Sequence, residues 1–147
     1  VKVLIIGDGV ERSQIEHKIS QLGLVNSVFI TGFQDDVRPL ISICDVMTIV
    51  SHAVETFSIA ALEAMSMEKP MVMSDIGGAK EQVQHDYNGY LFQAGDIKAL
   101  VTNLEKLAEK EKQAIFGKRA REIVIKNYTE QVMVTKFENA FYRLKEE

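Results

Sequence analysis

Two glutamates, Glu55 and Glu63, stand eight residues apart where an apolar run gives way to a helix-forming segment. Glu55 precedes the predicted helix and Glu63 follows about two turns later, roughly 12 Å along the axis if the whole interval were helical. One carboxylate accepts two hydroxyl hydrogen bonds at once, which suits the vicinal diol of a sugar or a ribose. By spacing alone, however, solvent-facing glutamates are the simpler interpretation in a chain of net charge −4.

The segment from Ser51 to Ser58 is predicted to join a buried strand to the helix that carries Glu63. The first N–H groups of a helix have no acceptor within the helix, and the positive end of the helix dipole lies beside them. Such a helix start can hold a diphosphate without a dedicated lysine, although a basic side chain would strengthen the binding. Ser58 also fits a simpler role as the helix N-cap.

Two glycine-containing loops each allow a structural and a ligand-binding interpretation. Gly7-Asp8-Gly9 follows a predicted strand, but Arg12 stands at the third glycine position of a dinucleotide-binding fingerprint, which disfavours a dehydrogenase. These glycines predict a tight turn, or a loop that faces a phosphate or a sugar. Gly77-Gly78 predicts a loop with positive backbone angles, or a close approach of the backbone to a ligand.

Apolar runs that alternate with segments of helical spacing must position these residues. Strands are predicted at Val1 to Ile6, Val28 to Thr31, Asp45 to Val50, Met71 to Met73 and Tyr90 to Phe92. Continuous apolar runs of this kind are typical of parallel strands that are buried on both faces. The order predicts an α/β fold: a doubly wound, Rossmann-like, mostly parallel sheet with helices on both faces and a helical C-terminal tail. In such sheets ligands bind beyond the carboxyl ends of the strands.

Composition limits the classes of partner and cofactor. The chain has 147 residues and a pI of about 5.5, which indicates one domain over residues 1–147 and argues against nucleic acid as a partner. Cys44 is the single cysteine, so no disulfide forms within the chain and a reducing, cytoplasmic location is expected. We predict no metal site, because no histidines or cysteines stand at metal-ligand spacing, and no membrane-spanning segment.

An ordered set of motifs resembles the C-terminal domain of glycosyltransferase family 4, also called glycosyl transferases group 1, whose enzymes have the two-domain GT-B fold. Its most specific element runs from Glu55 to Met65 and places a Glu-x7-Glu pair at the strand-to-helix junction. The other motifs, in order along the chain, are Leu4–Gly9, Val28–Gly32, Asp45–Ser51, Lys69–Pro70, Ser74–Gly78, Glu81 and Asn88–Leu91. The resemblance covers nearly the whole chain and implies the donor-binding half of a GT-B enzyme.

The resemblance assigns roles to the residues around the Glu-x7-Glu element. It implies that Glu63 binds the ribose of a nucleotide and that Glu55, the catalytic candidate, contacts hydroxyls of the donor sugar. Backbone N–H groups around Phe57, Ser58 and Ile59 would hold the diphosphate.

Two further residues complete the predicted nucleotide-binding set. Gln34 lies in a loop that would meet the base, and Thr56 lies in the loop that would meet the diphosphate. Thr56 and Ser58 stand where the family often has glycine, which leaves open how closely the diphosphate approaches. The family's usual reaction implies metal-independent transfer of a hexosyl group from a UDP- or GDP-sugar with retention of anomeric configuration. The departing diphosphate then helps to deprotonate the acceptor, and Glu55 is an orienting and electrostatic group.

The resemblance also implies parts that this chain lacks. The family has an arginine and a lysine for the diphosphate upstream of the first strand, and an N-terminal domain that binds the acceptor and would make any membrane contact. The chain opens at Val1 inside an apolar run, so we expect a piece of a longer enzyme, inactive alone, with a role in polysaccharide synthesis.

The family's upstream strand would lie between the runs Val1 to Ile6 and Asp45 to Val50. These runs are therefore expected to pair with each other, or to self-associate with another chain through an exposed strand edge. A non-catalytic nucleotide-sugar-binding or assembly module of the same fold is the competing hypothesis. A sugar-nucleotide epimerase is disfavoured, because such enzymes normally lack the Glu-x7-Glu element.

Overall fold

The computed structural model describes residues 1–146, with side chains as far as Leu144. Strands alternate with helices as far as the fifth strand, and three helices follow. In chain order the elements are β1 (Val3–Ile5), α1 (Arg12–Gln21), β2 (Val28–Ile30), α2 (Arg38–Ser42), β3 (Met47–Ile49), α3 (Ile59–Ser66), β4 (Met71–Ser74), α4 (Ala79–Gln82), β5 (Gly89–Phe92), α5 (Ile97–Lys106), α6 (Lys110–Asn127) and α7 (Glu130–Glu146).

The residues Val1–Leu40 form a compact unit by themselves. Within it β1 and β2 lie parallel, with Val3 opposite Val28. A parallel pair needs a crossover connection, and α1 supplies it. The loops after the two strands also meet, because the N–H of Gly7 donates to the carbonyl oxygen of Gly32 at 3.1 Å. Both glycines have a positive φ, so the turn interpretation accounts for Gly7.

A second compact unit begins at Ile41 and contains a three-stranded parallel sheet in the order β3-β4-β5. Met47 of β3 lies opposite Met71 of β4, which in turn lies opposite Gly89 of β5. All four residues of the central strand β4 are buried, as expected for a strand covered on both faces. Because the three strands run in the same direction, the loops that follow them meet at one edge of the sheet, its carboxyl edge.

Helices cover this sheet over an apolar core. One cluster of buried side chains from β4, β5, α6 and the end of α5 contains Val72, Tyr90, Phe92, Leu107 and Phe116. On another side α3 packs against α6 at Gly117, which faces the backbone of Glu68 so closely that an added Cβ would overlap the Glu68 carbonyl oxygen. The position of α3 relative to α6 is therefore set by a backbone contact.

The end of α3 is a Schellman motif that presents this carbonyl group. The N–H of Glu68 donates to the carbonyl oxygen of Met65 at 3.1 Å, and the N–H of Lys69 donates to that of Ala64 at 3.0 Å. Glu68 has φ +60, the left-handed conformation that glycine usually takes at this position. The turn directs the chain out of α3 and towards β4.

A charged cluster precedes β5. The hydroxyl of Tyr90 donates to the carboxylate of Asp86 at 2.7 Å, and the Lys112 ammonium lies 3.8 Å from the same oxygen. The hydrogen bond from Tyr90, assisted by the charge of Lys112, lowers the pKa of Asp86 below its ordinary 3.8. A lowered carboxyl pKa adds stability at pH values above 3.8, and that contribution is lost as pH falls through the lowered pKa.

We expect Tyr90→Phe to raise the pKa of Asp86 towards its ordinary value, because the phenol hydroxyl is the main group that favours the ionised carboxylate. An NMR titration of the Asp86 carboxyl carbon would measure the shift. Lys112→Gln is the comparison variant and should raise the same pKa by less, since its charge acts through solvent at 3.8 Å. A larger rise in Lys112→Gln than in Tyr90→Phe would contradict this explanation.

The predicted fold class is confirmed, since parallel strands, flanking helices and a helical C-terminal segment are all present. The strands do not form one sheet, however, but a two-stranded sheet and a three-stranded sheet. Within residues 1–146 the direct pairing expected between the runs at Val1 to Ile6 and Asp45 to Val50 is wrong, because β1 and β3 are end strands of their own sheets. Each of these strands pairs instead with the strand that a crossover helix connects to it, β1 with β2 and β3 with β4.

Among residues 1–146, no helix is both long and apolar enough to cross a membrane. Over the same residues, no three histidine, cysteine, aspartate or glutamate side chains are grouped so that they could hold a metal ion. The single domain over residues 1–147 stays a prediction, since the described contacts divide into two units.

Candidate functional site

The loops that follow β3 and β4 contact each other through their backbones at the carboxyl edge. The N–H of Gly78 donates to the carbonyl oxygen of Thr56 at 2.7 Å. A Cβ added at Gly77 would overlap the carbonyl oxygen of Glu55, and a Cβ added at Gly78 would lie 2.5 Å from that of Thr56. Gly77 also has φ +52. Both glycines are therefore needed to seat one loop on the other, which accounts for Gly77-Gly78 without a ligand.

The loop after β3 ends at a capped helix start. Ser58 has extended backbone angles, φ −77 and ψ 111, and its Oγ accepts a hydrogen bond from the N–H of Ala61 at 3.2 Å. This geometry confirms the N-cap interpretation of Ser58. Only 6% of Ser58 is exposed, so the cap lies beneath the surface of the site.

A second side chain, that of Gln82 in α4, holds the same serine. The N–H of Ser58 donates to Oε1 of Gln82 at 3.2 Å, and Nε2 of Gln82 donates to the carbonyl oxygen of Ser58 at 2.8 Å. Gln82 has no exposed surface. The amide of Gln82 thus satisfies both backbone polar groups of Ser58, and neither is left for a ligand in this conformation.

The neighbouring N–H groups remain free. Within the part of the chain that the structure describes, the N–H groups of Phe57, Ile59 and Ala60 have no hydrogen-bond acceptor. Ile59 is 64% exposed, and Ala60 is exposed as well. Since α3 follows β3, these groups are directed towards the carboxyl edge of the sheet. The arrangement is an unoccupied donor set of the kind that binds an anion at a helix start.

The two glutamates differ in their surroundings. Glu55 is partly buried, and the hydroxyl of Ser51 donates to its Oε2 at 3.3 Å, so its carboxylate is oriented within the loop. Glu63 lies on the exposed side of α3, and no hydrogen bond or ion pair engages its carboxylate within residues 1–146. One carboxylate is therefore held in place beside the free N–H groups, and the other is available one turn further along the helix.

The aromatic ring of Phe57 packs against the C-terminal helical segment. The rings of Phe57 and Tyr128 meet edge to face with their centroids 5.3 Å apart. The hydroxyl of Tyr128 donates to the carbonyl oxygen of Glu81 at 2.6 Å, and burial raises the pKa of that phenol. Tyr128 follows α6 directly, so the helical tail fixes the inner side of the loop that carries Phe57.

Gln34, the predicted contact to the base, belongs to the first unit. It follows β2, and its Nε2 donates to the carbonyl oxygen of Thr31 at 3.2 Å. Its side-chain oxygen makes no hydrogen bond within residues 1–146 and can accept one from a ligand. The roles predicted for Gln34, Glu55, Thr56, Phe57, Ser58, Ile59 and Glu63 stay predictions.

A positively charged side chain lies on α4, the helix that follows β4. Lys80, in the first turn of α4, forms an ion pair with Asp75 at 3.0 Å, and the lysine side chain is 72% exposed. An exposed pair of this kind is weak, so Lys80 can exchange Asp75 for another anion at small cost.

The sequence does not predict two side chains that support the site, those of Gln82 and Tyr128. The one local indication of a buried role for Gln82 is that this long polar residue lies between Ala79 and Val83, both of which are buried. Nothing local marks Tyr128, whose contact with Phe57 joins residues that are 71 positions apart.

Comparisons with known proteins point to one family. Residues 1–123 match the family model described as glycosyl transferases group 1. The chain is 32% identical over 142 residues to N-acetyl-alpha-D-glucosaminyl L-malate synthase of Bacillus anthracis, covering 96% of this chain and 37% of that protein. It is 31% identical over 145 residues to the sulfoquinovosyl transferase SQD2 of Arabidopsis thaliana, covering 96% of this chain and 28% of that protein.

The fold is shared with solved structures of the same class. The crystal structure of Anabaena Alr3699/HepE in complex with UDP superimposes with a TM-score of 0.87 at 29% identity, covering 100% of this chain and 41% of that one. The HepE complex with UDP-glucose gives a TM-score of 0.85, also at 29% identity, with the same two coverages. The α/β fold of one half of a GT-B enzyme is thereby confirmed. This chain spans between 28% and 41% of the length of these relatives.

Proposed function

This chain belongs to the glycosyl transferases group 1 family, and we propose that its carboxyl-edge loops bind the nucleotide-diphosphate sugar from which a longer enzyme transfers a hexosyl group. The observation that carries the proposal is the set of free N–H groups at the start of α3, flanked by Glu55 and Glu63. HepE, which shares this fold, binds UDP and UDP-glucose.

The diphosphate is held by the start of α3. Free N–H groups at Phe57 and Ile59 donate to phosphate oxygens, and the positive end of the helix dipole adds attraction. Thr56, which is exposed in the same loop, also contacts the diphosphate. Lys80 supplies a positive charge by leaving Asp75, and no metal ion takes part.

The two glutamates bind the two sugars of the donor. Glu63 accepts hydrogen bonds from both ribose hydroxyls, which its unengaged carboxylate allows. Glu55, oriented by Ser51, accepts hydrogen bonds from hydroxyls of the transferred hexose.

The reaction retains anomeric configuration. The bond between the anomeric carbon and the diphosphate oxygen breaks, and the acceptor oxygen bonds to the same face of that carbon. The acceptor proton passes to the departing diphosphate, so Glu55 acts as an orienting and electrostatic group and not as a nucleophile. The acceptor is bound by parts of the longer enzyme outside this chain, which is therefore inactive alone. The enzyme acts in the cytoplasm, at the membrane where its acceptor requires it, in polysaccharide synthesis.

Calorimetric titration of this chain with UDP, GDP and their sugar conjugates tests the proposal without an acceptor. We expect saturable binding of UDP or GDP, and we expect Glu63→Ala to weaken it about tenfold, because two hydrogen bonds to a charged acceptor are lost. Glu105→Ala is the matched control, since Glu105 is exposed on α5 and should leave affinity unchanged.

Failure of the folded chain to bind any of these nucleotides would contradict the proposal and support an assembly module that binds no nucleotide. Equal affinity of wild type and Glu63→Ala would exclude the role given to Glu63. Circular dichroism of each variant establishes that the chain is folded before either result is interpreted.

A further inference from the structure

The side chain of Gln82 is bonded to a single residue of the candidate site. Its Oε1 accepts from the N–H of Ser58 at 3.2 Å, and its Nε2 donates to the Ser58 carbonyl oxygen at 2.8 Å. Facing residues of antiparallel strands exchange two hydrogen bonds in the same way, but here the Gln82 side chain takes the place of one strand. Gln82 is fully buried, so water does not compete for either bond.

A second buried amide supports the first. Nδ2 of Asn88 donates to the backbone carbonyl oxygen of Gln82 at 3.0 Å, and Oδ1 of Asn88 accepts from the N–H of Gln84 at 2.7 Å. Asn88 also has no exposed surface. The backbone that carries Gln82 is thus fixed from the far side, and the Gln82 side chain reaches Ser58 from a rigid base.

As a consequence, some N–H groups at the start of α3 are bonded within the protein and one of them is free. The Ser58 N–H is taken by Gln82 and the Ala61 N–H is taken by the Ser58 hydroxyl. The N–H of Ile59, between them, has no acceptor within the described residues. The two bonds to Gln82 fix the plane of the peptide groups on both sides of Ser58, and the second of these groups carries the Ile59 N–H.

We propose that Gln82 is a positioning residue for diphosphate binding, which withdraws the Ser58 N–H from the site and aims the Ile59 N–H at the phosphate. This inference rests on the proposed function of the same site. It also assigns Ser58 to the scaffold and leaves Ile59 as the ligand donor, where the sequence prediction places both in contact with the diphosphate.

Amide hydrogen exchange of the wild-type chain tests the assignment directly. Without nucleotide, the Ser58 amide should exchange at least tenfold more slowly than that of Ile59, because it is buried and bonded. Addition of UDP should slow exchange at Ile59 and leave Ser58 unchanged. Fast exchange at Ser58, or slowing by UDP at Ser58 in place of Ile59, would overturn the proposal.

The variant Gln82→Met keeps most of the side-chain volume and removes both hydrogen bonds. We expect UDP affinity to fall roughly tenfold while the affinity for uridine, which has no phosphate, stays the same. The comparison variant Asn103→Leu removes a buried amide that bonds to the Leu91 carbonyl at 3.4 Å, outside the loop, and should alter neither affinity.

A purely structural role for Gln82 predicts a different pattern. Partial unfolding would weaken UDP and uridine equally, and that outcome, or unchanged UDP affinity, would overturn the proposal. Absence of UDP binding by the wild type would instead refute the donor site itself and the role of Gln82 with it. The exchange rate of Ser58 in the nucleotide-free chain still reports whether the Gln82 bonds exist, so the two failures are distinguishable.

Discussion

Gly77→Ala is expected to lower the free energy of unfolding by about 2–5 kcal/mol, which combines the cost of a left-handed alanine with that of overpacking. The added Cβ would overlap the carbonyl oxygen of Glu55, a backbone atom that cannot move without moving the loop. Urea denaturation followed by circular dichroism would measure the loss. Because the displaced loop carries Glu55 and Thr56, UDP affinity should fall in the same variant.

Gly95→Ala separates the two costs. Gly95 also has a positive φ, +86, but the nearest atom to its added Cβ is Cε1 of His52 at 3.8 Å, an ordinary contact. It should lose only about 1–2 kcal/mol, the cost of the backbone conformation. Equal losses in Gly77→Ala and Gly95→Ala would show that the two loops can separate freely and that the contact between Gly77 and Glu55 is unimportant.

The second large effect is expected in α6, where Gly117→Ala should destabilise the chain by about 1–3 kcal/mol. Alanine in place of glycine inside a helix ordinarily stabilises by about 0.5–1 kcal/mol. At Gly117 the sign reverses, because the added Cβ would overlap the carbonyl oxygen of Glu68 and force α3 away from α6. Thermal and urea unfolding of the variant would measure the change.

Ala114→Gly in the same helix provides the reference. Ala114 is exposed, so this variant reports helix propensity alone and should lose about 1 kcal/mol. The two experiments then give opposite preferences, alanine at position 114 and glycine at position 117, one turn apart. A stabilising Gly117→Ala variant would mean that α3 and α6 are not in contact at this point.

Much of the fold could be predicted because local patterns determine the type of each element. The helix predicted to carry Glu63 is observed at Ile59–Ser66, since its strong helix formers lie between a serine cap and a turn before Pro70. The strand predicted over Val1 to Ile6 is only Val3–Ile5, because hydrogen bonding to β2 limits its length more than its apolar run does.

The division of the strands into two sheets could not be predicted. An apolar run indicates that a strand is buried, but it does not identify the neighbour that covers each edge. The strand predicted over Asp45 to Val50 is observed as β3, Met47–Ile49. Its only strand partner within residues 1–146 is β4, which the apolar pattern does not indicate.

Within the candidate site, the backbone and the charged side chains differ in how far the sequence predicts them. The type and position of Glu55 and Glu63 follow from the sequence, and their proposed roles stay predictions. The contacts of Gln82 with Ser58 and of Tyr128 with Phe57 join residues 24 and 71 positions apart, so no local pattern contains them. Such contacts follow from packing, which periodicity does not describe.

The seating of Gly77 and Gly78 on the carbonyl groups of Glu55 and Thr56 and the free N–H of Ile59 are all features of the main chain. An alanine scan keeps every peptide group and removes only side chains. Ile59→Ala would therefore leave nucleotide affinity unchanged even if the Ile59 amide contacts the ligand. Semisynthesis that replaces the Ser58–Ile59 amide with an ester deletes that donor and leaves every side chain in place. The chemistry of this helix start is therefore accessible to backbone editing and largely hidden from conventional mutagenesis.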